Sequence, residues 1–222
     1  MTGAINPSEQ GAVAELRNRY LQLLKKSLTF RLWREQIGVV NQWRRSRWIN
    51  QTVRLIVGLL QRRDFILAKR YPEESALNGT FWPLYAHTMV GWKRLTNLQE
   101  CIEEVLSNGV EGDLLEAGVW RGGCAIFMKG VLASYGDSRR RVFLADSFAG
   151  LPPPMVSKNP ADTGDRLHEV SYLAVTEEEV RDNFRRYGLL DDRIVFIRGY
   201  FEETLPSAPV EKLAVLRADG DM

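Results

Sequence analysis

"GDLLEAGVWRGGCAIFMKGVLASYG", residues 112–136, decides the fold class. Its opening, "GDLLEAGVW" (112–120), is a short apolar run closed by an acid and a glycine, the pattern of a buried strand. Its remainder, "RGGCAIFMKGVLASYG" (121–136), has the pattern of a helix that stops at Gly136. The same succession recurs downstream. "RRVFLADSF" (140–148) reads as a second strand. "TEEEVRDNFRRYGLL" (176–190) opens with Thr176 as N-cap and Glu179 three residues on, a capping box, and its helix ends at Gly188. "DRIVFIRGYF" (192–201) is a third strand and "KLAVLRADGD" (212–221) a fourth. Strands alternating with helices over short connections predict an α/β fold built on a parallel sheet.

In such sheets ligands bind beyond the carboxyl ends of the strands. Those ends carry Glu116 and Gly118 on the first strand and Asp146 and Ser147 on the second. Gly199 and Tyr200 end the third, Asp219 and Asp221 the fourth. Gly118, Gly122 and Gly123 let backbone approach a ligand closely and let the helix start tightly against the sheet. An acid closing the second strand suits ribose hydroxyls, so Asp146 is a candidate for that role. The first turn, "EAGVWRGG" (116–123), departs from the G-x-G-x-x-G dinucleotide fingerprint. It places Glu116 where it would repel a phosphate and attract a cationic ligand. S-adenosylmethionine, with an ammonium group and a sulfonium centre, fits that description.

Composition bounds the rest. With 222 residues the chain can bury a sizeable core. Its two cysteines, Cys101 and Cys124, make neither a disulfide framework nor a metal-ligand pattern, which points to a reducing, cytoplasmic setting. No apolar run approaches a membrane span. Charge divides the chain: residues 1–70 hold 14 Lys/Arg and 4 Asp/Glu, and the remainder holds 16 and 24. The seam falls near Tyr71-Pro72, giving residues 1–75 as a basic helical region for a lid or for oligomerisation and 76–222 as the main domain. Val13, Leu16, Tyr20, Leu23, Leu24 and Leu28 recur at three- and four-residue steps, an amphipathic helix. Residues 31–70, rich in Trp and Arg, are expected to be helical and to pack on protein, the main domain or a second copy in a homo-oligomer. An anionic membrane surface is the alternative. No nucleic-acid motif accompanies the charge.

Several long motifs, in order, closely resemble one family. They are "AHTMVGWKRLTNLQ" (86–99), "GDLLEAGVWRGG" (112–123), "ADSFAGLPPP" (145–154) and "NFRRYGLLDDRIVFIRGYFEETLPSAPVEKLAVLRADGDM" (183–222). Together they resemble the macrocin O-methyltransferase family, and "RNRYLQLLKKSLT" (17–29) resembles its N-terminal helix. The resemblance implies a Rossmann-like class I methyltransferase fold with an N-terminal helical appendage. It also implies methyl transfer from S-adenosylmethionine to a sugar hydroxyl of a natural product, assisted by Mg²⁺.

Residue by residue, the resemblance puts Glu116 and Gly118 at the cofactor's methionine end. Asp146 and Ser147 fall at its ribose, and Gly199, Tyr200 and Phe201 beside its adenine. Thr88 and Met89 would touch the cofactor from the "AHTMVG" segment. Residues 148–172 would form a mobile loop over the acceptor, with His168 inside it. Asp219 would ligate Mg²⁺ and Asp221 would be the general base. The family continues past this point with further strands and an Asp-Asp pair, so the resemblance also implies a sheet incomplete at its C-terminus. The alternative function is a non-catalytic remnant acting as an interaction or membrane-surface module.

Overall fold

The structure is a computed structural model, and it describes residues 6–39, 59–60, 62–63, 65, 67–155, 157 and 160–219. Two short strands, β1 (Gln36–Val39) and β2 (Ala68–Tyr71), form an antiparallel pair of their own. Four parallel strands form the main sheet among these residues. They are β3 (Asp113–Ala117), β4 (Val142–Asp146), β5 (Ile194–Arg198) and β6 (Leu213–Ala218), in the order β5-β4-β3-β6. All four expected strands are present, and each pairs in parallel with its neighbour.

Burial explains the arrangement. β3 and β4 sit at the centre and are apolar on both faces, as parallel strands covered on two sides must be. One face carries Leu115, Ala117, Phe143, Ala145 and Ile197, with Phe201, Leu205 and Val210 packed against them. The other face carries Leu114, Val142 and Leu144, all buried, together with Glu116. Each fully buried Phe or Leu here contributes about 1.5–3 kcal/mol relative to exposure. Among the described residues β5 and β6 are the outer strands, and Leu216 of β6 is 59% exposed.

Helix α4 (Gly123–Ser134) follows β3 and is buried from Gly123 through Leu132. It begins at Gly122, whose φ of 83° lies in the left-handed region; a Cβ there would stand 2.8 Å from Val180. Helix α5 (Glu177–Arg186) buries Val180, Asn183 and Phe184, and the Thr176 hydroxyl accepts the Glu179 amide at 3.2 Å, as the capping box predicts. Phe201–Thr204 forms one short helical turn, α6, after β5.

Two compact units divide the chain: residues 26–94, and residues 1–25 with 95–222. This differs from a seam near residue 75, and the reason lies in helix α1 (Pro7–Leu28). Its Arg17 Nε donates to the Ser134 carbonyl at 2.9 Å, and Lys25 Nζ donates to Thr96 Oγ1 at 3.2 Å. Leu24 also lies against Gly130, leaving no room there for a Cβ. The buried side of α1 is Leu21, Leu24, Lys25 and Leu28, whereas Val13, Leu16, Tyr20 and Leu23 from the expected stripe are exposed.

Among the described residues of 26–94, strand accompanies helix. The antiparallel pairing of β1 with β2 corrects the expectation of an all-helical segment 31–70. The cause is local: Gly38 lets the strand pass so close to Trp82 and Phe81 that a Cβ would stand 2.4 Å from the Trp82 carbonyl oxygen. The Val39 amide donates to that same oxygen. Residues 40–58, including the Trp- and Arg-rich stretch, lie outside the described residues. Helices α2 (Glu73–Asn78) and α3 (Gly91–Ser107) come after β2.

Candidate active site

The carboxyl end of the sheet is organised by two carboxylates that the strands themselves deliver. Asp146 closes β4. Its Oδ2 accepts the Val119 amide at 2.7 Å and the Trp120 amide at 3.3 Å, while Oδ1 accepts the Phe148 amide at 2.9 Å. Trp120 and Phe148 both have positive φ, 49° and 52°, which is uncommon for residues with a Cβ. One carboxylate therefore holds two strained turns, one after β3 and one after β4. Ser147 serves its own turn: its hydroxyl donates to the Gly150 carbonyl at 2.7 Å and accepts the Ala149 amide.

Glu116 lies on β3 with its side chain 2% exposed. The register places Arg217 of β6 directly opposite, and Arg217 Nη1 donates to Glu116 Oε1 at 2.8 Å. Strand alternation puts Asp219 on the same side of β6 two residues later. Arg217 Nη2 donates to Asp219 Oδ2 at 2.6 Å. Glu116 Oε2 is buried and has no hydrogen-bond partner of good geometry. Burial pushes the Glu116 carboxyl up to about 7, against the Arg217 charge, the Ala125 amide and the Cys124 thiol, which favour the ionised form. A carboxylate taken out of water shifts in this direction because solvation is lost.

Gly118 joins the two halves. Its φ is 85°, and a Cβ there would stand 2.2 Å from the Asp219 carbonyl oxygen. The Asp219 amide donates to the Ala117 carbonyl at 2.8 Å, so the β3–β6 pairing runs on past the strand ends. The close approach that this glycine allows is to protein backbone. Gly199 (φ 140°) is similar, with Thr204 occupying the space a Cβ would take. The Gly199 amide donates to the Asp146 carbonyl at 3.0 Å, and Tyr200 beyond it is 41% exposed, with Phe201 starting α6.

Three further residues border the turn. Trp120 Nε1 donates to the Tyr172 carbonyl at 3.1 Å, and the two rings lie 5.3 Å apart. The Arg121 guanidinium stands 4.3 Å from the Trp120 ring centre and 5.2 Å from that of Tyr172. Asn183 of α5 donates to the Arg121 carbonyl at 3.0 Å. The far end of the 148–172 segment is thereby fastened to the turn after β3. His168 sits in a short 3₁₀ turn of that segment, Leu167–Glu169.

Glu116, Gly118, Asp146, Ser147, Gly199, Tyr200, Phe201 and Asp219 thus share one edge of one sheet. Thr88 and Met89 belong to the other unit, where Thr88 is buried and its hydroxyl accepts the Val90 amide at 3.3 Å. Asp221 lies outside the described residues. Among the described residues no cluster of three or more His, Cys, Asp or Glu side chains forms a metal site. Asp219 supplies one carboxylate, already paired with Arg217, where a hard cation takes six or more oxygens. The described residues alone do not assemble a Mg²⁺ site. No described helix is long and apolar enough to cross a membrane.

Arg217, Trp120, Arg121, Tyr172 and Asn183 are not singled out by sequence pattern. Arg217 alone carries a signal there, since a guanidinium inside the apolar run of a strand requires partners.

A parallel α/β sheet with an acid-lined carboxyl edge and no dinucleotide fingerprint defines a Rossmann-like ligand-binding class, and comparison with known proteins narrows it. The macrocin O-methyltransferase (TylF) family matches residues 17–222. A tetracenomycin enzyme of Streptomyces olivaceus, 8-demethyl-8-(2,3-dimethoxy-alpha-L-rhamnosyl)-tetracenomycin-C 4'-O-methyltransferase, is 44% identical over 209 residues, 94% of this chain and 71% of that protein. Demethyldecarbamoylnovobiocin O-methyltransferase of Streptomyces niveus is 50% identical over 153 residues, 68% of this chain and 58% of its own length. Mycinamicin III 3''-O-methyltransferase of Micromonospora griseorubida is 45% identical over 179 residues, 79% of this chain and 68% of its own. The solved structure of the O-methyltransferase NovP superposes with a TM-score of 0.73 at 38% identity, covering 93% of this chain and 74% of that one. The chain belongs to the macrocin O-methyltransferase family, and its sheet is that of a Rossmann-like methyltransferase. It spans between 58% and 71% of the length of these three relatives.

Proposed function

We propose that the chain takes part in transfer of a methyl group from S-adenosylmethionine to a hydroxyl of a sugar carried by a natural product. The observation that carries this reading is the row of acids and glycines along the carboxyl edge, in a chain of this family. Support for a sugar acceptor comes from the rhamnosyl group in the name of the tetracenomycin relative.

The residues fit the cofactor. Glu116, buried, with the Ala125 amide and the Cys124 thiol near its carboxyl and Oε2 in no hydrogen bond of good geometry, would accept from the cofactor's ammonium group, with Gly118 beside it. A carboxylate offers about four acceptor positions. Asp146 gives three to amides, and because the Ser147 hydroxyl spends its one proton on the Gly150 carbonyl, a fourth position is left for a ribose hydroxyl. Gly199, Tyr200 and Phe201 would border the adenine.

Bound S-adenosylmethionine supplies a methyl group on a good leaving group. The chain's own task is then to hold the acceptor in line, exclude water and take one proton. Asp221 is the proposed base for that proton. Asp219 is the proposed Mg²⁺ ligand, a part of the reading supported by the family resemblance alone. A cytoplasmic setting is part of the proposal, supported only by the absence of a disulfide pattern in Cys101 and Cys124. Homo-oligomerisation is supported by the exposed Val13, Leu16, Tyr20 and Leu23 of α1.

Methyl-labelled S-adenosylmethionine and an aryl α-L-rhamnoside test the reaction. Label in the sugar, lost in D221N, is the expected result. Label on the aglycone or on water would contradict it.

A further inference from the structure

The guanidinium of Arg217 occupies an unusual place. It lies on β6, an outer strand among the described residues, in the run "KLAVLRAD" (212–219), with its side chain only 15% exposed. Val215, on the same side of the strand, is buried. Removing a cation from water at such a position is costly unless it is both paired and hydrogen-bonded. Arg217 meets that requirement with two different carboxylates at once. Nη1 binds Glu116, its register partner on β3, and Nη2 binds Asp219, two residues along its own strand.

The two partners differ in freedom. Glu116 is 2% exposed and fixed in the core, whereas Asp219 is 47% exposed at the mouth of the site. An exposed aspartate samples its rotamers freely unless something holds it. Here the planar, rigid fork of one arginine runs from the fixed carboxylate to the free one. A lysine has a single ammonium on a flexible stem and lacks that fork.

We propose that Arg217 is a positioning residue for the methyl transfer: it ties the exposed Asp219 carboxylate to the buried Glu116 and so holds it in one orientation at the mouth of the site. The proposal rests on the reading of Asp219 as a carboxylate of the reaction. A purely structural Arg217 would need only to neutralise Glu116, and a lysine can do that.

Two measurements test it. Arginine-selective ¹⁵N NMR of the chain reads the bridge directly. Separate Nη resonances for Arg217 are expected, with Nη2 moving in D219A and Nη1 in E116Q. A single averaged Nη resonance in the unsubstituted chain overturns the bridge. The second measurement compares R217K and D219N for thermal stability, for S-adenosylhomocysteine affinity by calorimetry and for turnover with an aryl α-L-rhamnoside. R217K should keep stability and affinity while kcat falls about 10- to 100-fold, the cost of a misplaced reacting group. Full turnover by R217K, with D219N impaired, overturns the positioning role but leaves Asp219 in the reaction. Full turnover by D219N removes Asp219 from the reaction and the proposal with it.

Discussion

Asp146 at the end of β4 accepts the Val119 amide at 2.7 Å, locking the turn after β3 to the neighbouring strand. The same carboxylate holds the amides of Trp120 and Phe148, the two described residues that combine a Cβ and a positive φ with a place at the sheet's carboxyl edge. A residue expected only to meet ribose thus also builds the cradle.

D146A should therefore lose stability as well as ligand. Three amides lose a charged acceptor, so a cost on the order of 3 kcal/mol is expected from urea denaturation, with an unchanged m value. D146N, which keeps one acceptor oxygen, should fall between. A D146A midpoint equal to that of the unsubstituted chain would show that the turns hold themselves.

Glu116 makes stability depend on pH. Its carboxyl titrates at about 7 in the folded chain, above its ordinary value of 4.5, because burial disfavours its charge. The folded state holds the proton more tightly than the unfolded state. Glu116 thus contributes stability that is fully present below about 4.5 and is lost as pH rises to about 7. E116Q lacks this loss, so the Tm of E116Q minus that of the unsubstituted chain should grow from pH 5 to pH 8. Parallel Tm profiles would place the titration elsewhere.

Two glycines separate strain from crowding. Gly118 and Gly136 both have positive φ, 85° and 71°, but only at Gly118 would a Cβ meet backbone, 2.2 Å from the Asp219 carbonyl. G136A should cost about 1 kcal/mol, the left-handed penalty alone. G118A should cost clearly more and speed hydrogen exchange at the Asp219 amide, which bonds Ala117 across the pair. Equal costs would mean that the β3–β6 end relaxes freely.

Trp120 should govern the far end of the 148–172 segment. W120F removes the Nε1 bond to the Tyr172 carbonyl and leaves a ring beside Arg121. Faster proteolysis within residues 160–173, with little change in global stability, is the expected outcome of limited digestion.

Local pattern made part of this legible. The apolar run before Glu116, the helix that stops near Gly136 and the Thr176 cap each depend on residues within one turn or strand, and each lies where expected. The strand-end acids could be read for the same reason. Partnership across the sheet could not. Nothing near Arg217 in sequence announces that register sets it opposite Glu116, one hundred and one residues away. Nor does the pattern of α1 show which side is buried, because Gly130 and Thr96 choose it from other elements. The strand at Gln36–Val39 was hidden by charged neighbours and depends on a close pass by Trp82.

The most direct test of the central claim is a titration of the ¹⁵N-labelled chain with S-adenosylhomocysteine, followed by backbone NMR. A cofactor site along the carboxyl edge requires saturable shifts concentrated at 116–122, 146–148 and 199–201. Absence of binding at millimolar ligand, or shifts centred on the groove lined by Glu103, Tyr135 and Arg139 instead, would contradict it.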